Sequence, residues 1–193
     1  TKLVFIGTDL YSEGTFTNAA GGVTVNSIAK WNGTSWSALG TGMNNIVFAL
    51  TFDASGNLYA GGNFTTSGGV TTNYIAKWNG TSWSALGGGT NATVNALAFV
   101  GTTLYVGGTF SYVNGSSIFA QYIARWSGSW SSLGPTLAGA VTSLAVSGTN
   151  LYAGGQFGTI NGVMVNGISK WNGTSWSALG AGLPGTANRN CLA

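Results

Sequence analysis

The sequence predicts an all-β protein, a β-propeller whose blades are four-stranded antiparallel sheets. A first observation is a repeated segment, Ile-Ala-Lys-Trp-Asn-Gly-Thr-Ser-Trp-Ser-Ala-Leu-Gly, found unchanged at 28–40 and 75–87. Edited copies follow at 123–134 and 168–180. A second observation is a leucine in a short apolar run that returns every 47 residues, at Leu3, Leu50, Leu97 and Leu144. A third is the absence of long segments with the apolar period of a helix, which excludes helical repeats.

Each unit opens with a short apolar run rich in β-branched and aromatic residues, a pattern typical of a strand buried on both faces. A turn of Gly, Asn, Asp, Ser or Thr follows, and the first three of these residues tolerate the positive φ angles of tight hairpins. The four predicted first strands are 1–7, 47–53, 94–101 and 141–148. The turns after them are 7–9, 54–57, 101–103 and 148–150.

The second strand of a unit is predicted where Leu-Tyr-Ala-Gly-Gly-Asn-Phe occurs in the second unit. A pair of glycines inside a strand marks a bulge or the close approach of another backbone. The four predicted second strands are 10–16, 58–64, 104–110 and 151–157, the first of them a variant.

A loop of variable sequence leads to the last two strands of each unit, predicted in the second unit at 74–78 and 82–86. Asn79-Gly80-Thr81 joins them, and Asn-Gly between two apolar runs is the strongest short-range hairpin signal. Four antiparallel strands at this period fit one blade of a propeller.

The units resemble Kelch repeats, in which a diglycine is followed by Tyr and Trp. The matching residues here are Gly61-Gly62, Gly107-Gly108 and Gly154-Gly155, with Tyr74 and Trp78 further along the second unit. The first unit departs from the pattern with Ser12-Glu13-Gly14, and the spacing is not the usual one of that family. The resemblance implies a propeller fold and a binding role, and no functional residues are carried over from it.

The whole chain, 1–193, is therefore predicted to be a single array. Its blades are expected at 1–40, 47–87, 94–134 and 141–180, and 181–193 returns in register as the first strand of a further blade. The sequence leaves open whether the chain is a piece of a longer array. It also leaves open whether four blades close into a ring or pair with another copy.

The composition lacks the groups that most enzymes use. There is no His, and the only acidic residues are Asp9, Glu13 and Asp53. Asp9 and Asp53 fall at or beside hairpin turns, where Asp commonly bonds its own backbone. A Ser or Cys nucleophile therefore has no base, and paired carboxylates and metal ligands are missing. We expect no enzymatic activity, no cofactor and no metal site.

The charge pattern argues against two other classes of partner. Charged residues make up only 5% of the chain, and the net charge is +3. The cations are dispersed, with one in each unit at Lys30, Lys77, Arg125 and Lys170. Nucleic-acid binding needs a cluster of cations, so it is not expected. No apolar run is long enough for a membrane-spanning helix, and membrane insertion is not expected either.

Two tryptophans flank the Asn-Gly turn, or its shorter counterpart Ser127-Gly128-Ser129, in every unit. Packing between blades is the favoured interpretation, because a low-charge β array needs large aromatic burial in each unit. The alternative is a ring of sugar-stacking platforms. The pairs are Trp31/Trp36, Trp78/Trp83, Trp126/Trp130 and Trp171/Trp176.

Variable loops on a rigid scaffold are where repeat proteins usually bind. The loop at 111–121 is the most apolar of its kind, and Tyr112, Phe119 and Tyr122 in or beside it are absent from most sister loops. We predict that these three side chains form a partner contact.

The favoured function is a non-enzymatic, extracellular or particle-surface propeller that acts as a protein-interaction scaffold. Its partner is expected to be another protein or another copy of itself. A multivalent carbohydrate-binding lectin is one alternative, which would make a glycan the partner. A self-assembling structural subunit of a surface layer or fibre is the other.

Overall fold

The computed structural model describes residues 3–134 and 137–183. Within these ranges the chain contains strands and no helix, and four four-stranded antiparallel sheets follow one another along the sequence. Each sheet is one blade of a propeller, so the predicted fold class is confirmed. Residues 184–193, most of the segment expected to begin a further blade, lie outside the described residues.

Strands pair in chain order within every blade, first with second, second with third and third with fourth. The first strands are β1 (Leu3–Ile6), β7 (Val47–Phe52), β13 (Val94–Val100) and β19 (Val141–Ser147). The second strands are β2 (Asp9–Glu13), β8 (Leu58–Gly62), β14 (Thr103–Gly108) and β20 (Asn150–Gly155). The third strands are β5 (Ile28–Trp31), β11 (Ile75–Trp78), β17 (Ile123–Trp126) and β23 (Ile168–Trp171). The fourth strands are β6 (Trp36–Ala38), β12 (Trp83–Ala85), β18 (Trp130–Ser132) and β24 (Trp176–Ala178).

The variable loop between the second and third strands holds a small two-stranded hairpin in every blade, which the sequence did not predict. Because all four hairpins join the same two strands, they lie at the same end of their sheets. They are β3 (Asn18–Ala19) with β4 (Val23–Thr24), β9 (Thr66–Ser67) with β10 (Val70–Thr71), β15 (Tyr112–Val113) with β16 (Ile118–Phe119), and β21 (Thr159–Ile160) with β22 (Val163–Met164).

Three hydrophobic clusters fill the spaces between successive blades. We call the face of a blade that packs on the blade before it the leading face, and the opposite face the trailing face. Between the first two blades, the leading face of the second contributes Leu58, Ala76 and Trp83. The trailing face of the first contributes Tyr11, Ile28 and Leu39. Side chains alternate along each strand, so one strand supplies both faces.

The paired glycines occupy the tightest part of these junctions. A Cβ atom on Gly61 would lie 2.4 Å from Cγ1 of Val94 in the next blade, and Gly107 stands in the same relation to Val141. Opposite the glycines, the first strand carries a register shift, as between Val47 and Ala49. The glycine pair therefore lies both at a close approach of two blades and at a β-bulge, the two features that a diglycine in a strand predicts.

The first strands are not all buried on both faces, contrary to the expectation from their composition. The third blade comes close, since Ala96, Leu97 and Ala98 of β13 are all buried. In β1, by contrast, Leu3 is 61% and Phe5 66% exposed. The reason is positional: a first strand is covered on both sides only when its blade has a neighbour on each side.

Candidate interaction surface

An exposed pair of aromatic rings stands on the hairpin of the third blade. Tyr112 and Phe119 lie directly opposite each other across β15 and β16. Their ring centroids are 5.4 Å apart with planes at 70°, the edge-to-face arrangement that aromatic pairs prefer. Tyr112 is 39% and Phe119 51% exposed, so the pair presents apolar surface to solvent.

The hairpin is tied to the linker that enters the third blade. The side-chain oxygen of Asn91 accepts hydrogen bonds from the backbone N–H groups of Ser111 and Tyr112, each 2.9 Å long. The Asn91 N–H in turn donates to the Tyr112 carbonyl at 3.1 Å. Val113, on the opposite face of β15, is fully buried. These contacts hold the aromatic pair on a fixed support.

Tyr122, the third residue of the predicted contact, does not join the pair. Its backbone has a φ of 66°, and it packs, half-buried, against the cluster between the third and fourth blades. Its N–H donates to the Phe110 carbonyl at 2.8 Å, and its carbonyl accepts from Gly108. Tyr74 has the same role in the second blade, with a φ of 70°. Tyr122 is thus placed as part of the scaffold.

The aromatic pair distinguishes the third blade from its sisters. The corresponding positions carry Asn18 and Thr24 in the first blade and Thr66 and Thr71 in the second. The fourth blade has Thr159 opposite Met164, which is 65% exposed.

Three of the four tryptophan pairs lie between blades, whereas Trp31 and Trp36 lie on the leading face of the first blade. Within each pair the ring centroids are 5.3–5.5 Å apart. Trp83 and Trp130 are each 5% exposed. Their indole N–H groups donate to the carbonyl of Leu39 at 2.8 Å and of Leu86 at 2.6 Å, both in the preceding blade. Trp171 is also buried, whereas Trp31, Trp36, Trp78, Trp126 and Trp176 are half-buried.

Two of the cations form ion pairs with acids of the hairpin turns, instead of being fully solvated. Lys30 pairs with Asp9 at 2.5 Å, and Lys77 with Asp53 at 3.8 Å. Each ammonium also lies 5.5–5.8 Å from the centre of a tyrosine ring, Tyr11 or Tyr59. Glu13 is only 3% exposed, in the strand next to the second blade.

Asp53 and Tyr59 are coupled through a hydrogen bond. The Tyr59 hydroxyl donates to a carboxylate oxygen of Asp53 at 3.2 Å, and the backbone N–H groups of Ser55 and Asn57 donate to the other oxygen. Burial raises the pKa of Asp53, but hydrogen bonds, foremost from Asn57, outweigh burial and hold it below its usual value. Burial, aided by the Asp53 charge, raises the pKa of Tyr59 to about 12.

Two kinds of feature are not found in the described part of the chain. Over 3–134 and 137–183, no three His, Cys, Asp or Glu side chains come together in a metal-binding group. The same ranges hold no helix of the length and apolarity that crossing a membrane requires.

Comparison with known proteins finds similarity in structure alone. No family model and no curated protein matches the sequence. The fold is similar to the extracellular domain of the hybrid two-component system BT4673 from B. thetaiotaomicron, with a TM-score of 0.57 and 13% identity. That match covers 91% of this chain but 21% of the other, so the chain spans about a fifth of that domain.

Two computationally designed proteins are also similar in structure. Ika8 matches with a TM-score of 0.57 and 18% identity, over 94% of this chain and 48% of its own. Ika4 matches with a TM-score of 0.53 and 16% identity, over 88% of both chains. At these identities the likeness concerns the fold.

Proposed function

We propose that this chain is a non-enzymatic interaction scaffold that works outside the cell or on a particle surface. In this proposal the third-blade hairpin binds a protein partner through Tyr112 and Phe119. The observation that carries it is the exposed edge-to-face ring pair on a backbone fixed by Asn91. Aromatic side chains on rigid supports are enriched among the residues that dominate binding energy at protein interfaces.

Two further observations support the proposal. The similarity to the extracellular domain of a two-component system supports a place outside the cell. The paucity of charge is compatible with binding through apolar contact.

The test is affinity measurement with a partner captured from the source organism. Tyr112→Ala combined with Phe119→Ala should weaken binding by at least about tenfold, as expected for a central aromatic contact. Thr66→Ala combined with Thr71→Ala changes the equivalent positions of the second hairpin and serves as the matched control. Equal affinity of the two double variants would contradict the proposed contact.

Glycan binding has less support from the tryptophans. A sugar-stacking platform needs an open indole face, and every tryptophan here is buried or half-buried beside its partner ring. Tryptophan fluorescence that stays unchanged during titration with a panel of mono- and oligosaccharides is the expected result.

A further inference from the structure

The first two junctions between blades share their side-chain contacts, so they show what a blade face is built to receive. At the first junction, Tyr11 of the trailing face meets Phe52 of the next leading face edge-to-face, with centroids 5.1 Å apart. At the second junction, Tyr59 meets Phe99 at the same distance. At these two junctions the trailing face supplies a tyrosine and the leading face a phenylalanine, whereas the fourth blade has Val146 in the phenylalanine position.

A second contact accompanies the first. The leucine after the fourth strand, Leu39 or Leu86, is buried and offers its carbonyl to an indole N–H of the next blade. The glycine after that leucine lies against the same indole. A Cβ atom placed on Gly40, for example, would lie 3.6 Å from Cδ1 of Trp83.

A third contact comes from the linker. Met43 forms an isolated antiparallel bridge with Ser67 in the hairpin of the next blade. Backbone hydrogen bonds flank this bridge, from the Gly68 N–H to the Gly42 carbonyl and from the Asn44 N–H to the Thr66 carbonyl. Equivalent bridges join Thr90 to Val113 and Leu137 to Ile160.

The leading face of the first blade presents these same groups, and no other blade packs on them among residues 3–134 and 137–183. Phe5 occupies the position of Phe52 and Phe99 and is 66% exposed. Trp36 is half-buried, as Trp176 is, whereas Trp83 and Trp130 are buried. A cavity of about 280 Å³ opens beside it, lined by Ser12, Phe16, Asn18, Ala19, Ala29 and Trp36. Ala19 is the counterpart of Ser67, the residue that receives the linker bridge.

The trailing face of the fourth blade presents the complementary groups. Tyr152, in the position of Tyr11 and Tyr59, is half-buried where they are buried. Leu179 is 37% exposed, against 1% for Leu39 and 2% for Leu86. Leu183 is 47% exposed, yet its N–H donates to the Asn166 carbonyl at 2.9 Å, as Met43 does to Asn26.

The two faces do not cover each other within one chain. Substantial strand contacts join the first blade to the second, the second to the third and the third to the fourth. Among the described residues, no comparable contact joins a strand of the fourth blade to one of the first.

We propose that a second copy of this chain docks head to tail, its first blade packing on the trailing face of the fourth blade. In that junction Phe5 of one copy packs on Tyr152 of the other, and the Trp36 indole donates to the Leu179 carbonyl. Leu183 fills the cavity beside Ala19. The contact is heterologous, so two copies close a ring or more copies extend the array.

One bond of the internal junctions is missing from this contact. Asn44, Asn91 and Ala138 follow the bridging residue and donate a backbone N–H to the next hairpin. The residue after Leu183 is Pro184, which has no N–H to give. The junction between copies therefore depends more on the Phe5, Trp36 and Leu179 contacts, and a reversible association is expected.

The first test is the mass of the 193-residue chain in solution, measured by light scattering and sedimentation across a dilution series. We expect species of at least twice the 19.5 kDa of one chain. Phe5→Glu and Leu179→Glu should each raise the dissociation constant by at least about tenfold, since each places a charge in the apolar contact. Val163→Glu, also at an exposed apolar position but outside both faces, is the control. A monomer at all concentrations would overturn the proposal.

The second test traps the contact covalently. Met43 and Ser67 form a non-hydrogen-bonded antiparallel pair, because the hydrogen bonds join the residues on either side of them. The Cα atoms of such a pair are about 4.5 Å apart, which is within disulfide range. Leu183→Cys with Ala19→Cys, in a Cys191→Ser background, should therefore form disulfides between chains. Met43→Cys with Ser67→Cys should form the same bond within one chain. A disulfide inside one chain at 183 and 19, or none, would overturn the proposal.

These tests are independent of the proposed partner contact. The residues changed here lie on the blade faces, whereas Tyr112 and Phe119 lie on the third hairpin. Loss of self-association with partner binding intact, or the reverse, would separate the two proposals.

Discussion

Individual glycines decide how closely the blades approach one another. Gly107 has the ordinary backbone conformation of a strand, so its φ and ψ angles do not require glycine. Only the lack of space around it excludes a larger side chain. The nearest atom to a Cβ at this position is Cγ1 of Val141, 2.4 Å away in the next blade. The residue-scale constraint is therefore steric, and on the first glycine of the pair in the second and third units it acts across a blade junction. The second glycine is confined within its own blade, since a Cβ on Gly62, Gly108 or Gly155 would lie 2.1–2.2 Å from a backbone oxygen just before the first strand.

Gly107→Ala should destabilise the protein by about 1–3 kcal/mol, because the added methyl group overpacks the junction with the fourth blade. The free energy of unfolding in urea, followed by tryptophan fluorescence, measures the effect. Gly158→Ala is the matched control: nothing lies within 4 Å of its Cβ position, and its φ is not positive. The control should be neutral or stabilised by up to about 1 kcal/mol. Equal effects of the two substitutions would contradict the steric explanation.

Tyr59 should make the free energy of unfolding depend on pH in the alkaline range. Because its pKa is raised to about 12 in the folded state, its contribution to stability is complete below the unfolded value of about 10. The contribution is lost as the pH rises through 12, at about 1.4 kcal/mol per pH unit between the two values. Urea unfolding measured from pH 8 to 12 should show this loss, and Tyr59→Phe should reduce it. An unchanged pH profile in that variant would contradict the assignment.

The element that repeats most faithfully is the hairpin between the third and fourth strands. In the second blade, the side-chain oxygen of Asn79 accepts hydrogen bonds from the backbone N–H groups of Thr81 and Ser82, both 2.9 Å long. Asn32 and Asn172 make the same contacts in the first and fourth blades. The turn places the two tryptophans opposite each other, as Trp78 and Trp83 are paired across β11 and β12. Local turn chemistry thus fixes the geometry of the packing residues.

Junctions between blades are not equivalent, since they differ in the hydrogen bond of the indole. Trp130 donates to the Leu86 carbonyl, whereas the indole N–H of Trp176 is buried without a partner among the described residues. Trp130→Phe should therefore cost at least about 1 kcal/mol more than Trp176→Phe, since only the first leaves a carbonyl unpaired. Urea unfolding of the two variants compares the same substitution at equivalent positions of two blades. A larger loss for Trp176→Phe would rule out this account.

At the scale of the whole molecule, stability is distributed along a one-dimensional stack. Each blade contacts its neighbours in sequence, so the cores are the three clusters at the junctions. Among the described residues, the second and third blades have both faces covered by a neighbouring blade, and the first and fourth have one. In arrays of this kind, stability approximates a sum of unit and junction contributions.

Hydrogen exchange should follow this arrangement. Amides of β8 and β14, in the second and third blades, should exchange more slowly than those of β2 and β20 at dilutions that disfavour self-association. Mass-spectrometric exchange by segment measures the difference. At high protein concentration, docking of a second copy should slow exchange in β2 and β20. Uniform protection of all four strands at low concentration would contradict the stacked model.

Much of the candidate surface could be predicted from the sequence, because its aromatic residues break the similarity between the four repeats. Tyr112 and Phe119 were identified as side chains that most sister loops lack, and the structure sets them opposite each other. Tyr122 was grouped with them on proximity in the chain. Its positive φ of 66° takes it instead to the junction with the fourth blade. Composition gives no sign of that conformation, since tyrosine rarely adopts it.

The sequence by itself determined the repeat, the strand order and the turns, because these follow from short-range chemistry. Asn-Gly turns, alternating apolar residues and an exact copy of one segment act within a few residues of each other. Only the tertiary structure decided which face of each strand meets which neighbour. Trp83 reaches Leu39 across 44 positions, and the distance between Gly61 and Val94 depends on how two sheets stack. For the same reason the exposure of Phe5 and Leu179 could not be predicted, since their local sequence resembles that of their less exposed counterparts.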